Sequence, residues 1–509
     1  MVLCGRQDST TPGDGTKWFA GFSRLHTLKS GPQGVGVSEN LSSLEGGRRA
    51  RNAVGPALQG PFLGPATATF ASMQPQQVTP PAPNAPANGQ SMLRTVFAGL
   101  FGNLLEWFDY AVFGFLVGPI GAAFFPTERP ELQMLQAWIV FAIGFFARPL
   151  GGIVLGRLGD VRGRQWLLTV SVSLIAVSTL VIGCLPTFQQ IGWAAPIVLI
   201  LCRLTQGFSL GGEFTGSMAY TTEHAKPLMR GFISSSTALG TSLGFLFGSG
   251  AVWVLEAAMP ADQVKAWGWR LPFLFSVLLA MVGWMLRRSL HESEAGKAAR
   301  EVKDRPSVFR AIAADWKPCL QLFAIVAFSN ALYYFMFTAM VGEAKARHPE
   351  SAADFQFANT VALGLVAAGK VIGGWGSDRM GRRASALLYT AAGLAVMWPC
   401  WKALAGEGLT PDAFLKALIV AGLPIAMSLG MQGAMLVEMF PVANRVVSMS
   451  FAYSVSMALS GGLMPVLNNW FTKTLNHPEY TVGWMGLLGV LCVVTLLRMR
   501  DTTGRDLRT

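Results

Sequence analysis

From about residue 95 to residue 498, long apolar stretches alternate with short polar loops. A transmembrane helix needs about 20 predominantly apolar residues, which is the typical length of these stretches. We therefore predict an all-α polytopic membrane protein with twelve transmembrane helices. The predicted spans are residues 95–120, 134–157, 166–186, 195–223, 229–256, 268–290, 317–341, 355–376, 384–404, 411–438, 445–471 and 480–498.

The segment before the first span has a different composition, because it is rich in Gly, Pro, Ser, Ala and Gln and shows no hydrophobic periodicity. Such a segment cannot bury enough apolar surface to fold, so we expect it to be disordered. Met73 and Met92 are alternatives to Met1 as the true start of the chain. The predicted organisation is a disordered tail at 1–91, a six-helix half at 92–290, a cytoplasmic linker at 291–316, a second half at 317–498 and a cytoplasmic tail at 499–509.

A short charged motif occurs twice, each time directly after an apolar span. It reads GDVRGRQ at 159–165 and SDRMGRR at 377–383. A Glu followed by an Arg at equal spacing also recurs, after the fourth span and after the tenth. Two independent repeats indicate two pseudosymmetric six-helix halves, and in such transporters the substrate site lies between the halves. The repeated charges are Asp160, Arg164, Glu223, Arg230, Asp378, Arg382, Glu438 and Arg445.

We predict that these repeated charges form a gate at the cytoplasmic ends of the helices. Individual surface ion pairs contribute little to stability. A network that exists only while this side is closed can still bias a two-state protein, because it stabilises one state and not the other.

Composition and charge narrow the class of protein. Charged residues make up 13% of the chain, against about 25% in a typical soluble domain. The net charge of +12 comes mostly from loops after even-numbered spans, which places both termini in the cytoplasm by the positive-inside rule. No nucleic-acid-reading module is present, so we exclude nucleic acid as a partner. The cysteines are scattered, and we expect no metal site, disulfide framework or cofactor.

Several longer motifs carry a family resemblance. They are GNLLEWFDYAVFG at 102–114, RPLGG at 148–152, RLTQGFSLGGEFTG at 203–216 and WGWRLPF at 267–273. Together with the loop motif at 156–165 and the twelve spans, they resemble the major facilitator superfamily. Within it they look like the metabolite:proton symporters, which include proline/betaine, α-ketoglutarate, shikimate and citrate carriers.

The resemblance implies a secondary active transporter, and not an enzyme, that takes up a small carboxylate-bearing metabolite with a proton by alternating access. An organic acid and a zwitterionic osmolyte such as betaine or proline both meet that description. The resemblance also implies a monomer in the bacterial inner membrane, whose partners are the substrate, the proton and the lipid bilayer. A transport-inactive sensor or receptor on the same scaffold, and a proton-coupled exporter, remain as alternatives.

Carboxylates inside the predicted spans are candidates for proton coupling. An ionisable side chain at the bilayer centre is costly, so each one should have a partner or a task. Glu106 and Asp109 fall near the middle of the first span, and Glu213 near the middle of the fourth. A desolvated carboxylate at this depth can take up a proton on one side and release it on the other. A structural ion pair with a neighbouring helix is the alternative for each.

Buried cations and aromatic side chains are candidates for substrate binding. Arg148, Arg203 and Lys370 are intramembrane cations that could clamp a substrate carboxylate. Each could instead pair with an acidic side chain and join two helices. Arg203 could also serve as a gate or as a countercharge for the first span, and Lys370 could extend its ammonium group to the cytoplasmic surface. Aromatic faces can hold an ammonium group by cation–π attraction, although they also serve helix packing. The predicted substrate-binding residues are Asn103, Tyr110, Arg148, Arg203, Gln206, Asn330, Tyr333, Tyr334, Lys370 and Gln432.

Overall fold

The structure is a computed structural model that describes residues 89–507, apart from residues 163, 224, 289–306 and 443. All regular elements within these residues are helices. Almost all of the predicted tail at 1–91, and most of the predicted linker at 291–316, lie outside the described residues. The first helix begins at Gly89, just inside the segment that we expected to be disordered.

Six membrane helices form the first half of the protein, and short helices connect them. The six are α1 (Gly89–Phe115, then Val117–Phe124), α2 (Pro130–Arg162), α3 (Arg164–Cys184), α4 (Ala194–Ser209, then Glu213–Glu223), α5 (Arg230–Ala258) and α6 (Leu271–Arg288). The connecting helices are Phe188–Ile191, Pro227–Met229, Ala261–Ala266 and Gly268–Arg270.

The second half repeats this arrangement. Its six membrane helices are α7 (Trp316–Tyr334, Phe335–Ala339 and Met340–Arg347), α8 (Ala352–Met380), α9 (Arg382–Ala405), α10 (Pro411–Met439), α11 (Arg445–Ser456, Met457–Gly462, Met464–Asn469 and Trp470–Thr474) and α12 (Glu479–Arg498). A short helix, Val308–Ala314, precedes α7 inside the predicted linker, and Pro349–Ser351 joins α7 to α8.

These helices coincide with the predicted membrane crossings. Among the described residues, nine helices are each long and apolar enough to cross a membrane, and the two segments of α1, bent by 68°, form a tenth. α3 and α6 contribute shorter apolar helices, Thr169–Cys184 and Gly268–Val282. The order and spacing of the helices therefore agree with twelve crossings.

Several membrane helices are irregular near their middles. α4 is interrupted between Ser209 and Glu213, where a Cβ on Gly211 would lie 2.1 Å from the backbone nitrogen of Gly152 in α2. α7 and α11 each contain a π-helical segment, at Phe335–Ala339 and Met457–Gly462. Single π-helical turns are frequent at functional sites, and both segments lie next to the central cavity described below.

Close backbone packing follows the same plan in both halves. In the first half, a Cβ on Gly207 of α4 would lie 1.8 Å from the carbonyl oxygen of Gly144 in α2. In the second half, a Cβ on Gly430 of α10 would lie 1.8 Å from the carbonyl oxygen of Lys370 in α8. Because a side chain would prevent both approaches, the duplication extends from the loop motifs to the packing of the helices.

The glycines of α5 allow a second close approach. Gly240, Gly244 and Gly248 are four residues apart, a spacing that predicts a tightly packed helix pair. A Cβ on Gly244 would lie 2.6 Å from the carbonyl oxygen of Leu104 in α1. The prediction is confirmed, with α1 as the partner of α5.

The two ends of the helical bundle are named here by the residues that they hold. The loop-motif end contains Asp378 and Arg382, where α8 passes into α9. The opposite end contains Glu256, near the end of α5, and Lys345, near the end of α7. Between these ends the two halves meet mainly where α5 packs on α8 and α2 packs on α11.

Candidate functional site

A central cavity lies between the two halves. The first half contributes side chains from α1, α4 and α5, and the second half from α7, α8, α10 and α11. The predicted substrate-binding residues at this cavity are Asn330, Tyr333, Tyr334, Lys370 and Gln432. The other lining residues are Trp107, Phe214, Met218, Ala238, Thr241, Phe245, Leu429, Tyr453 and Met457.

Aromatic rings form one wall of the central cavity. The ring centroid of Trp107 lies 5.8 Å from that of Phe245 and 6.1 Å from that of Phe214, and Phe245 lies 5.3 Å from Tyr333. The buried hydroxyls of Tyr333 and Tyr334 make no hydrogen bond with any described residue. The wall can therefore receive an apolar or cationic group, with two phenolic hydroxyls available to polar atoms.

Lys370 of α8 brings a positive charge into the central cavity. Its Nζ donates to the carbonyl oxygen of Ala238 at 3.2 Å and to Oγ1 of Thr241 at 3.1 Å, both on α5 of the other half. Nζ also lies 5.5 Å from the centroid of the Tyr333 ring. Although the side chain is 3% exposed, no carboxylate of the described residues lies within 4.0 Å of Nζ. A buried ammonium without a counter-ion is costly, so an anionic group in the cavity would stabilise it.

Arg148 lies beside the cavity, in a cage of aromatic rings. Its guanidinium carbon is 4.8 Å from the ring centroids of Trp107 and Tyr110, and 4.6 Å from that of Phe145. Its Nε and Nη2 atoms are buried and make no hydrogen bond within the described part of the chain. The guanidinium of Arg203 lies 4.3 Å from the same Tyr110 ring, so this tyrosine is held between two cations and does not line the cavity.

A chain of hydrogen bonds inside the first half joins Arg203 to Asp109. Nη1 of Arg203 donates to Oε1 of Gln206 at 3.0 Å, and Nε2 of Gln206 donates to Oγ1 of Thr179 at 2.8 Å. The hydroxyl of Thr179 in turn donates to Oδ2 of Asp109. All four side chains are buried, and the chain crosses α4, α3 and α1 without reaching the central cavity. Arg203 and Gln206 thus lie with the predicted proton carrier and apart from the other predicted substrate residues.

The two acidic residues of α1 face a second, smaller cavity. Glu106 and Asp109 line it together with Ser276 of α6 and apolar residues of α3 and α6. Trp107, between them in sequence, points to the central cavity instead. The candidate proton site is therefore enclosed by helices of one half, and the candidate substrate site lies between the halves.

Two further predicted residues lie outside both cavities. Asn103 is buried against α5, where a Cβ on Gly240 would lie 3.1 Å from the Asn103 Cβ. Glu213 is partly exposed and occupies the first turn of the second α4 segment. The break in α4 explains its position, because the helix does not continue regularly from Arg203 to Glu213.

Sequence reasoning missed several polar residues that the structure brings to these sites. Thr179 and Ser276 contact the Asp109 region, and Thr241 accepts a hydrogen bond from Lys370. A hydroxyl residue in an apolar span gives no signal, because it can equally bond to its own helix backbone. Trp107 belongs to the motif at 102–114, but its place in the cavity depends on which face of α1 is turned toward the second half.

At the loop-motif end, a buried network joins the two halves. Asp378 accepts hydrogen bonds from the backbone N–H groups of Gly231 and Phe232, both at 2.8 Å, in the first turn of α5. It also pairs with Arg382 at 2.9 Å. Arg382 in turn contacts Glu438 at 3.2 Å. The carboxylate therefore caps a helix of the other half, where the helix dipole favours negative charge.

The repeated Glu and Arg residues exchange partners between the halves. Arg230 of the first half contacts Glu438 of the second at 3.5 Å, and Arg445 of the second contacts Glu223 of the first at 2.6 Å. The predicted gate residues of the second half and of the α4–α5 and α10–α11 connections are thus brought together. The side chains of Asp160 and Arg164, which we predicted as the matching pair of the first half, lie outside the described residues.

The opposite end is closed by a network that the sequence did not suggest. Nζ of Lys345 lies 2.6 Å from Oε1 of Glu256 and donates to the carbonyl oxygen of Phe115 at 2.9 Å. Nearby, Nε2 of Gln356 donates to Oγ of Ser249 at 2.8 Å. These contacts again join the first half to the second, so contacts between the halves cross both ends while the central cavity lies between them.

Comparison with known proteins establishes the family. The chain matches the model of the family "Sugar (and other) transporter" over residues 95–313 and 297–509. It is 31% identical over 432 residues to the proline/betaine transporter of Salmonella typhimurium, covering 82% of this chain and 85% of that protein. It is 32% identical over 438 residues to the citrate-proton symporter of Klebsiella pneumoniae, covering 84% and 96%.

A solved structure shows the same fold. The structure of the proton:xylose symporter XylE bound to 6-bromo-6-deoxy-D-glucose matches with a TM-score of 0.62 at 18% identity, covering 83% of this chain and 98% of that one. This likeness confirms the predicted twelve-helix fold in two halves. The relatives are membrane transporters and not enzymes, which agrees with the resemblance inferred from the motifs. The chain belongs to the sugar (and other) transporter family of the major facilitator superfamily.

Proposed function

We propose that the protein takes up a small carboxylate-bearing metabolite together with a proton, by alternating access across the bacterial inner membrane. In this proposal the protein acts as a monomer, and the central cavity is the substrate site. The single observation that carries the proposal is Lys370, a buried cation that faces this cavity without a carboxylate partner among the described residues.

The shape and chemistry of the cavity favour a zwitterion over a polycarboxylate. Lys370 supplies one positive charge for a carboxylate, and the rings of Trp107, Phe245 and Tyr333 supply a surface for a cationic or apolar head. A citrate molecule would bring more than one negative charge to a single lining cation. Asn330 and Gln432 add amide groups that can bind either end of a small substrate.

Proton coupling is assigned in this proposal to Asp109, with Glu106 beside it and Glu213 as the next candidate. Asp109 is 4% exposed, and one of its oxygens accepts a hydrogen bond from Thr179. An ionised carboxylate at this depth is costly. Loss or gain of a proton by Asp109 would therefore change the hydrogen bonds of the network that leads to Arg203. The separation of this site from the cavity implies that proton and substrate act on each other through α1 and α4.

Alternating access would use the two networks that close the ends of the protein. We place the loop-motif end in the cytoplasm, together with both termini, because the loops after even-numbered spans are rich in Lys and Arg. Asp378, Arg382, Glu438, Arg230, Glu223 and Arg445 would form the cytoplasmic gate, with Asp160 and Arg164 as its counterpart in the first half. Opening at either end requires the loss of contacts there, so the two gates bias the same equilibrium in opposite directions.

Transport into proteoliposomes tests the proposal. Vesicles with an alkaline interior would be offered radiolabelled betaine, proline, α-ketoglutarate, citrate and shikimate. We expect accumulation of a zwitterion that collapses when the pH difference is dissipated. A sensor would accumulate none of the panel, and an exporter would concentrate its substrate when the direction of the pH difference is reversed.

A matched pair of lysine variants tests the role of the cavity. Lys370→Ala should raise the KM for the transported solute by about tenfold or more, since a buried charge pair is lost. Lys402→Ala is the control, because Lys402 is exposed on α9. Equal KM values in both variants would exclude Lys370 as the substrate anchor.

A further inference from the structure

The segment after α12 runs across the loop-motif end of the protein. Residues 499–507 have no long helix, yet Thr502 is 8% exposed and Leu507 is 9% exposed. Burial of this kind in a short polar segment requires specific partners, because the segment has little apolar surface of its own. We refer to residues 499–507 as the strap.

One set of contacts fixes the strap to the second half. The backbone N–H of Arg382 donates to Oγ1 of Thr503 at 2.8 Å, and that of Arg383 donates to Oδ1 of Asp501 at 3.3 Å. Oγ1 of Thr502 donates to Oε2 of Glu438 at 3.3 Å. These bonds involve the first turn of α9 and the carboxylate of Glu438, which the gate arginines share.

A second set of contacts reaches the arginines that join the halves. Nη1 of Arg230, on α5 of the first half, donates to the carbonyl oxygen of Arg505 at 2.7 Å. Nη2 of Arg445, which pairs with Glu223 of the first half, donates to the carbonyl oxygen of Leu507 at 3.0 Å. Nη1 of Arg505 also donates to the carbonyl oxygen of Glu438 at 3.5 Å. The strap thus accepts a hydrogen bond from each of the two arginines, Arg230 and Arg445, that pair across the halves.

One of these contacts differs from the others when the loop-motif end opens. The contacts of the strap with α9, α10 and Arg445 of α11 stay within the second half and can persist. The bond from Arg230 to Arg505 crosses between the halves, and it must break when α5 moves away from α10. An interaction that exists in one state and not in the other shifts the equilibrium toward the state that has it.

We propose that the strap is a conformational device that holds the loop-motif end closed, and that its hydrogen bond with Arg230 must break before this end opens. The inference goes beyond the proposed function, because it concerns the equilibrium between states and does not depend on which solute is carried. Any influence that loosens residues 499–507 would favour the state open at this end.

A distance measurement on the full chain tests the strap. Leu228 lies in the first half and is 77% exposed, and Met380 lies in the second half and is 47% exposed. Spin labels on Leu228→Cys and Met380→Cys, in a background without the native cysteines, report the separation of the halves at this end. In nanodiscs, a chain truncated after Met499 should show an open-to-closed ratio about tenfold higher than the full-length chain.

Two further variants keep the test decisive. Thr502→Val combined with Thr503→Val removes side-chain hydrogen bonds of the strap at nearly constant size, and should shift the same ratio in the same direction by about threefold. Arg500→Ala is the matched control, since Arg500 is exposed and makes no hydrogen bond or ion pair with a described residue. Unchanged distances in both the truncated chain and the double variant would overturn the inference. If the truncated chain fails to insert, the double variant decides alone.

The readout separates this inference from the proposed function. Label distances change or stay the same whether or not any solute of the transport panel is accumulated. A positive distance result with no transport would support the strap and reject the proposed function, and the reverse result would do the opposite.

Discussion

The two ends of the protein are closed by different kinds of contact. At the loop-motif end, Arg230 of the first half and Arg382 of the second half both contact Glu438, and Arg382 and Glu438 have fully buried side chains. At the opposite end, one lysine–glutamate pair, Lys345 with Glu256, is joined by hydrogen bonds between amides and hydroxyls around Ser249. The side chains of that pair are 12% and 10% exposed.

The two networks therefore need not contribute equally to the equilibrium between the two open states. Removing one partner from a buried charge network leaves an uncompensated charge, which is far more costly than removing a neutral hydrogen bond. The charged contacts that stabilise a closed end therefore lie mostly at the loop-motif end, and the strap adds to them. In a protein that opens one end at a time, the stronger network favours the state in which its own end is closed.

The largest effect on transport is expected at Asp109, which lies at neither end of the protein. Asp109→Asn should abolish uphill, proton-driven accumulation while some downhill exchange remains, because the amide keeps the shape but cannot exchange a proton. Uptake under an imposed pH difference and counterflow without one would be measured on the same vesicles. Asp412→Asn is the control, since Asp412 forms an exposed pair with Lys416. Continued concentration of substrate by Asp109→Asn would move the proton site elsewhere, with Glu213 next.

At the loop-motif end, Asp378→Asn should slow transport by about tenfold and leave substrate affinity unchanged. The variant weakens the acceptor for Gly231, Phe232 and Arg382, and hydrogen bonds to a charged group are each worth about 1.5–3 kcal/mol. Initial rates and equilibrium binding of the labelled substrate would be measured side by side. A fall in affinity with an unchanged rate of cycling would show that this network is not a gate.

At the opposite end, Glu256→Gln should have a smaller effect and act in the other direction. We expect an increase of about threefold in the population open at this end, measured with spin labels on Asp262→Cys and Glu350→Cys. A double-mutant cycle with Lys345→Met isolates the contribution of the pair. A population shift as large as the one that Asp378→Asn causes at the loop-motif end, measured with the labels on Leu228→Cys and Met380→Cys, would remove the asymmetry that we infer between the gates.

The smallest effect is expected from the amino-terminal tail. Deletion of residues 2–72 should leave insertion and the initial rate of transport unchanged, since the segment has too little apolar surface to fold or to cross the membrane. Rates would be compared at equal amounts of inserted protein. Loss of insertion or of activity would show that the tail has a role in one of them.

The amino-acid sequence was enough to predict the number and order of the helices and the duplication. These features are local: a crossing is defined by its apolar length, and a repeat by its motif. The glycine spacing of α5 also predicted a close helix contact correctly. The break of α4 and the network around Lys345 had no such local signal, because each depends on what a neighbouring helix presents.

Which polar residues share a site depends on the packing of the helices against one another. In a surface helix of a soluble protein, one face contacts water, and the pattern of polar residues identifies that face. A helix that is packed on several sides has no such reference, so the positions of Glu106, Tyr110 and Asn103 along α1 could not show which neighbouring helix each side chain faces. The fold turned Asp109 toward Thr179 and Trp107 toward the central cavity. It also paired Arg230 with Glu438 and Arg445 with Glu223, because charges far apart in sequence become neighbours when the two halves meet.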